Sequence, residues 1–174
     1  METRTILFVD DEERILTSLK RGLMDEPYNL LFADSGKKAL EILEHNEVHV
    51  IVTDMRMPEM SGLQLLKIVK EKYPNIVRLV LSGYTQVGTL LTAINQGEIF
   101  KFITKPWKLE EEFKGVIAQA IEYYNLHIER DQLAKELEAL KAAAASPVPK
   151  AASTPAASAS AKQASGGEEV WKEF

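Results

Sequence analysis

Over roughly its first 125 residues the chain alternates between short apolar runs and stretches with helical periodicity, a rhythm that few folds accommodate. The apolar runs are TILFV before Asp10, VHVIVT before Asp54, IVRLVL before Ser82 and IFKFIT before Lys105. Near-continuous apolar runs of this length read as parallel strands buried on both faces. Between them ERILTSLKRGLM, KKALEILEH, LQLLKIVKEKY and VGTLLTAINQ place apolar residues at three- and four-residue steps. Strand and helix in alternation imply right-handed crossovers and an open parallel sheet, the doubly wound α/β class. The carboxyl ends of such strands share one edge, where ligands bind.

What stands at those strand ends is chemically specific. Asp10, Asp11 and Asp54 bring three carboxylates together, and like charges at close range raise a pKa or recruit a cation. Hard oxygen donors suit magnesium, with manganese as the alternative. Lys105 supplies a compact positive charge that pairs with a carboxylate or a phosphoryl oxygen, and Ser82 supplies a hydroxyl. A carboxylate beside a divalent ion, an ammonium and a hydroxyl is equipped to attack phosphorus and form an aspartyl phosphate. Taken singly the same residues have plainer uses. Asp10 and Asp11 can cap the helix that follows, Asp54 can be a loop residue ahead of Pro58, and Ser82-Gly83 can be a turn.

ILFVDDEERIL, VTDMRMPEMSG, VLSGYT and FITKPW, in this order and at this spacing, resemble the four site-bearing segments of the receiver domains of two-component response regulators. The resemblance covers roughly residues 4 to 125 and implies a flavodoxin-like five-stranded parallel sheet of order 2-1-3-4-5. It implies further that Asp54 is the phosphoacceptor. Asp11, Asp54 and the backbone carbonyl of Arg56 would ligate magnesium, with Asp10 helping directly or through water. Ser82 and Lys105 would bind the phosphoryl group. Phe102 stands where the family carries its switch aromatic, working with Ser82, and Lys105-Pro106 resembles a bond that is usually cis. Phe102 lacks a hydroxyl, so a switch through a tyrosine hydrogen bond is ruled out. Arg56 and Tyr84, each two residues beyond a site residue, would tune the phosphate lifetime. The phosphoryl donor implied is a sensor histidine kinase.

An aspartyl-phosphate phosphohydrolase is the competing reading, since it also uses acids and a lysine at the ends of parallel strands. It generally needs a cap to exclude water, and no insertion here is long enough to form one. Its nucleophile is also expected after the first strand, whereas the best nucleophile here follows the third. The segment from Ser82 to Trp107 is similar to receivers that precede cyclic-dinucleotide modules, but none follows, so the expected output is binding.

A net charge of −5 without a basic stripe argues against nucleic-acid binding, and the absence of cysteine excludes disulfides and thiolate metal sites. No signal peptide or membrane-length apolar run is visible, so a cytoplasmic protein is expected. The fifth helix should start near Leu109 and pack Phe113, Val116, Ile117, Ala120, Ile121 and Tyr124 against the sheet. Residues 126–141 should extend it, with Leu126, Leu133, Leu137 and Leu140 along one seam that a second copy could cover. Residues 142–167, almost all alanine, serine, proline and glycine, read as a flexible linker.

The chain then ends on VWKEF, with Trp171 and Phe174 three apart. This tip is similar to the terminal pentapeptide by which some chemoreceptors dock the chemoreceptor methyltransferase, and in some systems the methylesterase, by strand addition. That similarity implies a chemotaxis-type single-domain regulator that tethers such an enzyme. Another partner, or an intramolecular role for the tail, is the alternative.

Overall fold

The computed structural model describes residues 2–145. Five strands alternate with five helices: β1 (Arg4–Val9), α1 (Glu13–Gly22), β2 (Tyr28–Ala33), α2 (Gly36–His45), β3 (Val50–Asp54), α3 (Gly62–Lys72), β4 (Val77–Ser82), α4 (Val87–Asn95), β5 (Lys101–Thr104) and α5 (Lys114–Ala144). All strand pairs are parallel and the order is β2-β1-β3-β4-β5, as the alternation and the resemblance predict.

Alternate side chains of each strand face opposite layers. Leu7, Val9, Ile51 and Val80 point to the layer that holds Leu43, Leu65, Leu66, Val69 and Leu90 of α2, α3 and α4. Ile6, Phe8, Val50, Val52, Leu79 and Leu81 point to the other, against Leu19 of α1, Phe113 just ahead of α5, and Ile117, Ala120 and Ile121 in its first turns. Because both faces are covered, the central strands carry continuous apolar runs, Ile6–Val9, Val50–Val52 and Leu79–Leu81, rather than apolar residues at every second position. Each such side chain removed from water contributes about 1.5–3 kcal/mol, so the sheet is the rigid platform on which its carboxyl edge is displayed.

Local signals fix the helix starts. Ser35 accepts the Lys38 N–H at the head of α2, and Ser61 and Gln64 form a reciprocal capping box at the head of α3. The fifth helix begins where it was expected, near Leu109, but its first turn, Leu109–Phe113, is a π-turn, and α-geometry starts at Lys114. The wider turn seats Phe113 in the core, stacked on Phe8. From Leu126 onward α5 outruns the sheet, and Leu126, Leu133, Leu137 and Leu140 are 53–68% exposed. Among the described residues no helix is long and apolar enough to cross a membrane.

Candidate functional site

Sheet register assembles the site. Val9 lies opposite Thr53, Asp54 opposite Leu81, and Ser82 opposite Thr104, so the residues that end or follow β1, β3, β4 and β5 meet on one edge. Lys105 Nζ is 3.0 Å from Asp54 Oδ1 and 3.4 Å from Asp10 Oδ2. One carboxylate oxygen from each of Asp10, Asp11 and Asp54 falls within 4.8 Å of the others, with Asp10 and Asp54 buried and Asp11 exposed. The Lys105-Pro106 peptide is cis. Neither aspartate of the acidic pair is the cap of α1, whose N-cap residue is Glu12. Asp10 instead turns inward and accepts the Glu12 N–H through Oδ1 at 2.9 Å.

The electrostatics of the group are opposed. Burial pushes the Asp10 carboxyl above its ordinary pKa; the Glu12 N–H and Lys105 pull it down, and the charge of Asp54 pushes it up again. For Lys105 burial acts downward, but the hydrogen bond to Asp54 and the field of Asp10 outweigh it and hold the ammonium above its usual value. The lysine thus remains charged and shared between two carboxylates. Three acids against one base leave an excess of negative charge, and a hard divalent ion is the natural complement to these oxygen donors. The residues present fit magnesium: Asp10, Asp11 and Asp54 would hold it, and it would supply charge neutralisation for a phosphoryl oxygen.

Ser82 is buried, and its hydroxyl donates to the Gly83 carbonyl at 2.9 Å. A neighbour that the sequence did not single out completes its surroundings. Gln86 ends a short 3-10 turn, Tyr84–Gln86, that leads into α4. With its amide nitrogen toward the serine it donates to Ser82 Oγ at 3.1 Å, and its oxygen accepts from Arg56 Nη2 at 3.2 Å and from Arg56 Nε. Gln86 was hidden within a segment that reads only as polar turn and helix start; no spacing marks a contact that depends on how two loops fold toward each other.

Phe102 pairs in register with Val80 and packs, half-buried, on the α4 side of the sheet. Tyr84 opens the 3-10 turn. The two aromatics of the tip, Trp171 and Phe174, lie outside the described residues, as does most of the expected linker.

Comparison with known proteins agrees with this geometry. Residues 6–117 match the family described as "Response regulator receiver domain". The chain is 38% identical over 133 residues to the hydrogenase transcriptional regulatory protein HoxA of Cupriavidus necator, a match covering 76% of this chain and 27% of that one. It is 30% identical over 124 residues to the DNA-binding transcriptional regulator NtrC of Proteus hauseri, covering 71% and 26%. The chain thus spans about a quarter of the length of these curated relatives. Among solved structures it is similar to the signal receiver domain of an HD domain-containing protein from Pseudomonas fluorescens, with 34% identity, a TM-score of 0.67 and coverage of 71% and 98%. A structure described as an adenylate cyclase from Rhodopirellula baltica gives 32% identity, a TM-score of 0.73 and coverage of 77% and 98%.

A doubly wound sheet with acids, a hydroxyl and a lysine on its carboxyl edge defines the class, a receiver of phosphorelay signals. The chain belongs to the response regulator receiver domain family. Receiver domains are generally signalling domains of two-component systems, and this one implies a sensor histidine kinase as its partner.

Proposed function

We propose that Asp54 is the residue that receives the phosphoryl group. Its carboxylate oxygen attacks the phosphorus of a kinase phosphohistidine, an O–P bond forms as the N–P bond breaks, and the imidazole leaves with the electron pair. Lys105 is already in contact with the nucleophile and shifts to the new phosphoryl oxygens. Asp10, Asp11 and the carbonyl of Arg56 would join Asp54 in holding magnesium, or manganese in its place, and the ion would offset the charge of the phosphoryl group. Ser82 rotates its hydroxyl from the Gly83 carbonyl to the phosphoryl group. Phe102 then follows into the space beside β4, and the α4–β5 surface changes for a partner to read. The observation that carries this reading is the 3.0 Å pair between Lys105 and Asp54 within a three-aspartate cluster.

Incubation with a small acyl phosphate and magnesium should yield an acid-labile phosphoprotein that disappears in Asp54→Asn. Labelling that persists in that variant, or rapid multiple turnover of a phosphorylated metabolite by the phosphohydrolase route, would sink the reading.

The relatives named as transcriptional regulators match over about a quarter of their length, so their role in transcription is not carried over. Output is instead proposed to run through the carboxyl-terminal extension. The exposed leucines of α5 form a stripe that a second copy can cover, and a sedimentation series in which Leu133→Glu leaves the assembly state unchanged would remove that idea. The reading of Trp171 and Phe174 as a tether for a chemoreceptor methyltransferase or methylesterase rests on their terminal spacing. Binding of the isolated tail peptide to such an enzyme at micromolar to millimolar concentration is the expected result, about −8 to −4 kcal/mol. No binding at millimolar concentration would leave the tail to another partner or to an intramolecular role.

A further inference from the structure

The loop after β3 and the loop after β4 are tied together by the side chain of Gln86. Arg56 stands two residues beyond Asp54 and is exposed. Gln86 stands four residues beyond Ser82 and is half-buried. With its amide turned so that the nitrogen faces the serine, the orientation that satisfies every donor and acceptor around it, the Gln86 oxygen accepts from Nη2 and Nε of Arg56 and its nitrogen donates to Ser82 Oγ. An arginine so exposed would otherwise sample many rotamers, since a free guanidinium carries roughly 2 kcal/mol of side-chain entropy. Two parallel contacts to one amide oxygen hold it on the serine side of the site. The same amide has a second consequence. By donating to Ser82 Oγ it occupies an acceptor position of the hydroxyl, so the serine proton is directed elsewhere: to the Gly83 carbonyl in this state, and to an added phosphoryl oxygen when one is present.

We propose that Gln86 is a positioning residue that straps the two loops together and, by holding Arg56 beside the phosphoryl position, lengthens the life of the phosphorylated state. The inference rests on Asp54 being the phosphoacceptor. Gln86 does not touch the reacting atoms; it acts through the Arg56 guanidinium, which covers the approach between the loops and offsets phosphoryl charge, and through the Ser82 hydroxyl. Without the strap, Arg56 relaxes into solvent and water reaches the phosphorus more readily.

The test is the rate of phosphate loss from full-length protein charged with acetyl phosphate and magnesium, then freed of donor. Gln86→Met keeps the length of the side chain and removes its hydrogen bonds. It should lose phosphate about 3- to 10-fold faster than the natural chain, the rate equivalent of one net hydrogen bond. Arg56→Ala should accelerate loss to a similar degree, and the double variant should fall clearly short of the product of the two single effects, because both remove the Gln86–Arg56 contact while only the Gln86 change also removes the contact to Ser82. Should methionine disturb the turn, as a lowered melting temperature would reveal, Gln86→Ala carries the same expectation. Unchanged lifetimes in the Gln86 variants, or strictly multiplicative effects in the double variant, would overturn the strap while leaving Asp54 in place. Failure of the natural chain to take up phosphate, or labelling that survives Asp54→Asn, would instead overturn the reading on which the strap depends.

Discussion

Asp10→Asn should melt at a higher temperature than the natural chain in the absence of magnesium and should take up almost no phosphate. Asp10 is fully buried, and its folded pKa lies above the ordinary 3.8 because burial disfavours the charged form. A carboxyl with a raised folded pKa reduces stability wherever it is forced to ionise. That cost is fully present above the folded pKa, declines as pH falls through it, and is absent below the unfolded value. Asparagine retains an oxygen for the Glu12 N–H and leaves Lys105 its closer partner, Asp54. Near pH 7 the gain should be on the order of 1 kcal/mol, a rise of roughly 3–5 °C, and it should shrink toward pH 4. The functional cost has the opposite sign. Removing one of three charges from the cluster should weaken magnesium binding by at least about 10-fold, so added magnesium should raise the melting temperature of the natural chain by mass action and barely move the variant. An asparagine variant that melts at or below the natural chain would refute the claim that Asp10 is kept charged at the expense of stability.

The same conflict explains what could be read in advance. The strand ends that carry the site were legible, because burial on both faces favours a near-continuous apolar run and the polar residue after it is abrupt, as in Val9 then Asp10 and Leu81 then Ser82. Parallel pairing brings such ends to one edge whatever the loops do, so the convergence of Asp10, Asp54, Ser82 and Lys105 needed only the topology. Contacts made by loops were not legible in that way. Gln86 reaches Arg56 across 30 positions of chain, and both lie in irregular segments where neither period two nor period 3.6 constrains direction. The π-turn at Leu109–Phe113 was likewise invisible, because the spacing of Phe113, Ile117 and Ile121 is helical with or without it. The geometry shows only in how Phe113 meets Phe8. The leucine seam of α5 was legible as a pattern, and its four leucines are indeed exposed.

Gly62→Ala should destabilise the protein by about 3 kcal/mol, at the upper end of what overpacking costs, and should depress phosphorylation as well. Gly62 opens α3, where alanine is the better helix former by at most about 1 kcal/mol. Sterics outweigh that preference. A Cβ at this position would lie 2.1 Å from the Asp54 carbonyl oxygen, 3.0 Å from its carbonyl carbon and 3.1 Å from Met55 Cα. These are backbone atoms, so no rotamer change relieves the clash. The Gly62 N–H also donates to the Met55 carbonyl at 2.9 Å, which holds α3 against the very turn that must now open. Within the same loop Glu59 has φ of +67°, a left-handed conformation that costs a non-glycine residue roughly 1–2 kcal/mol. A loop already strained has little freedom to absorb a further shift, so the displacement passes to Asp54. A misplacement of about 1 Å at a reacting group lowers rates on the order of 100-fold. Gly115→Ala is the control, because Gly115 lies in α5 with no atom within 4 Å of an added Cβ, and there alanine should stabilise by about 0.5–1 kcal/mol. Urea denaturation of the two variants separates the effects of helix propensity and close approach: opposite shifts of the midpoint are expected, and a Gly62→Ala midpoint equal to that of the natural chain would show that α3 does not press on the end of β3.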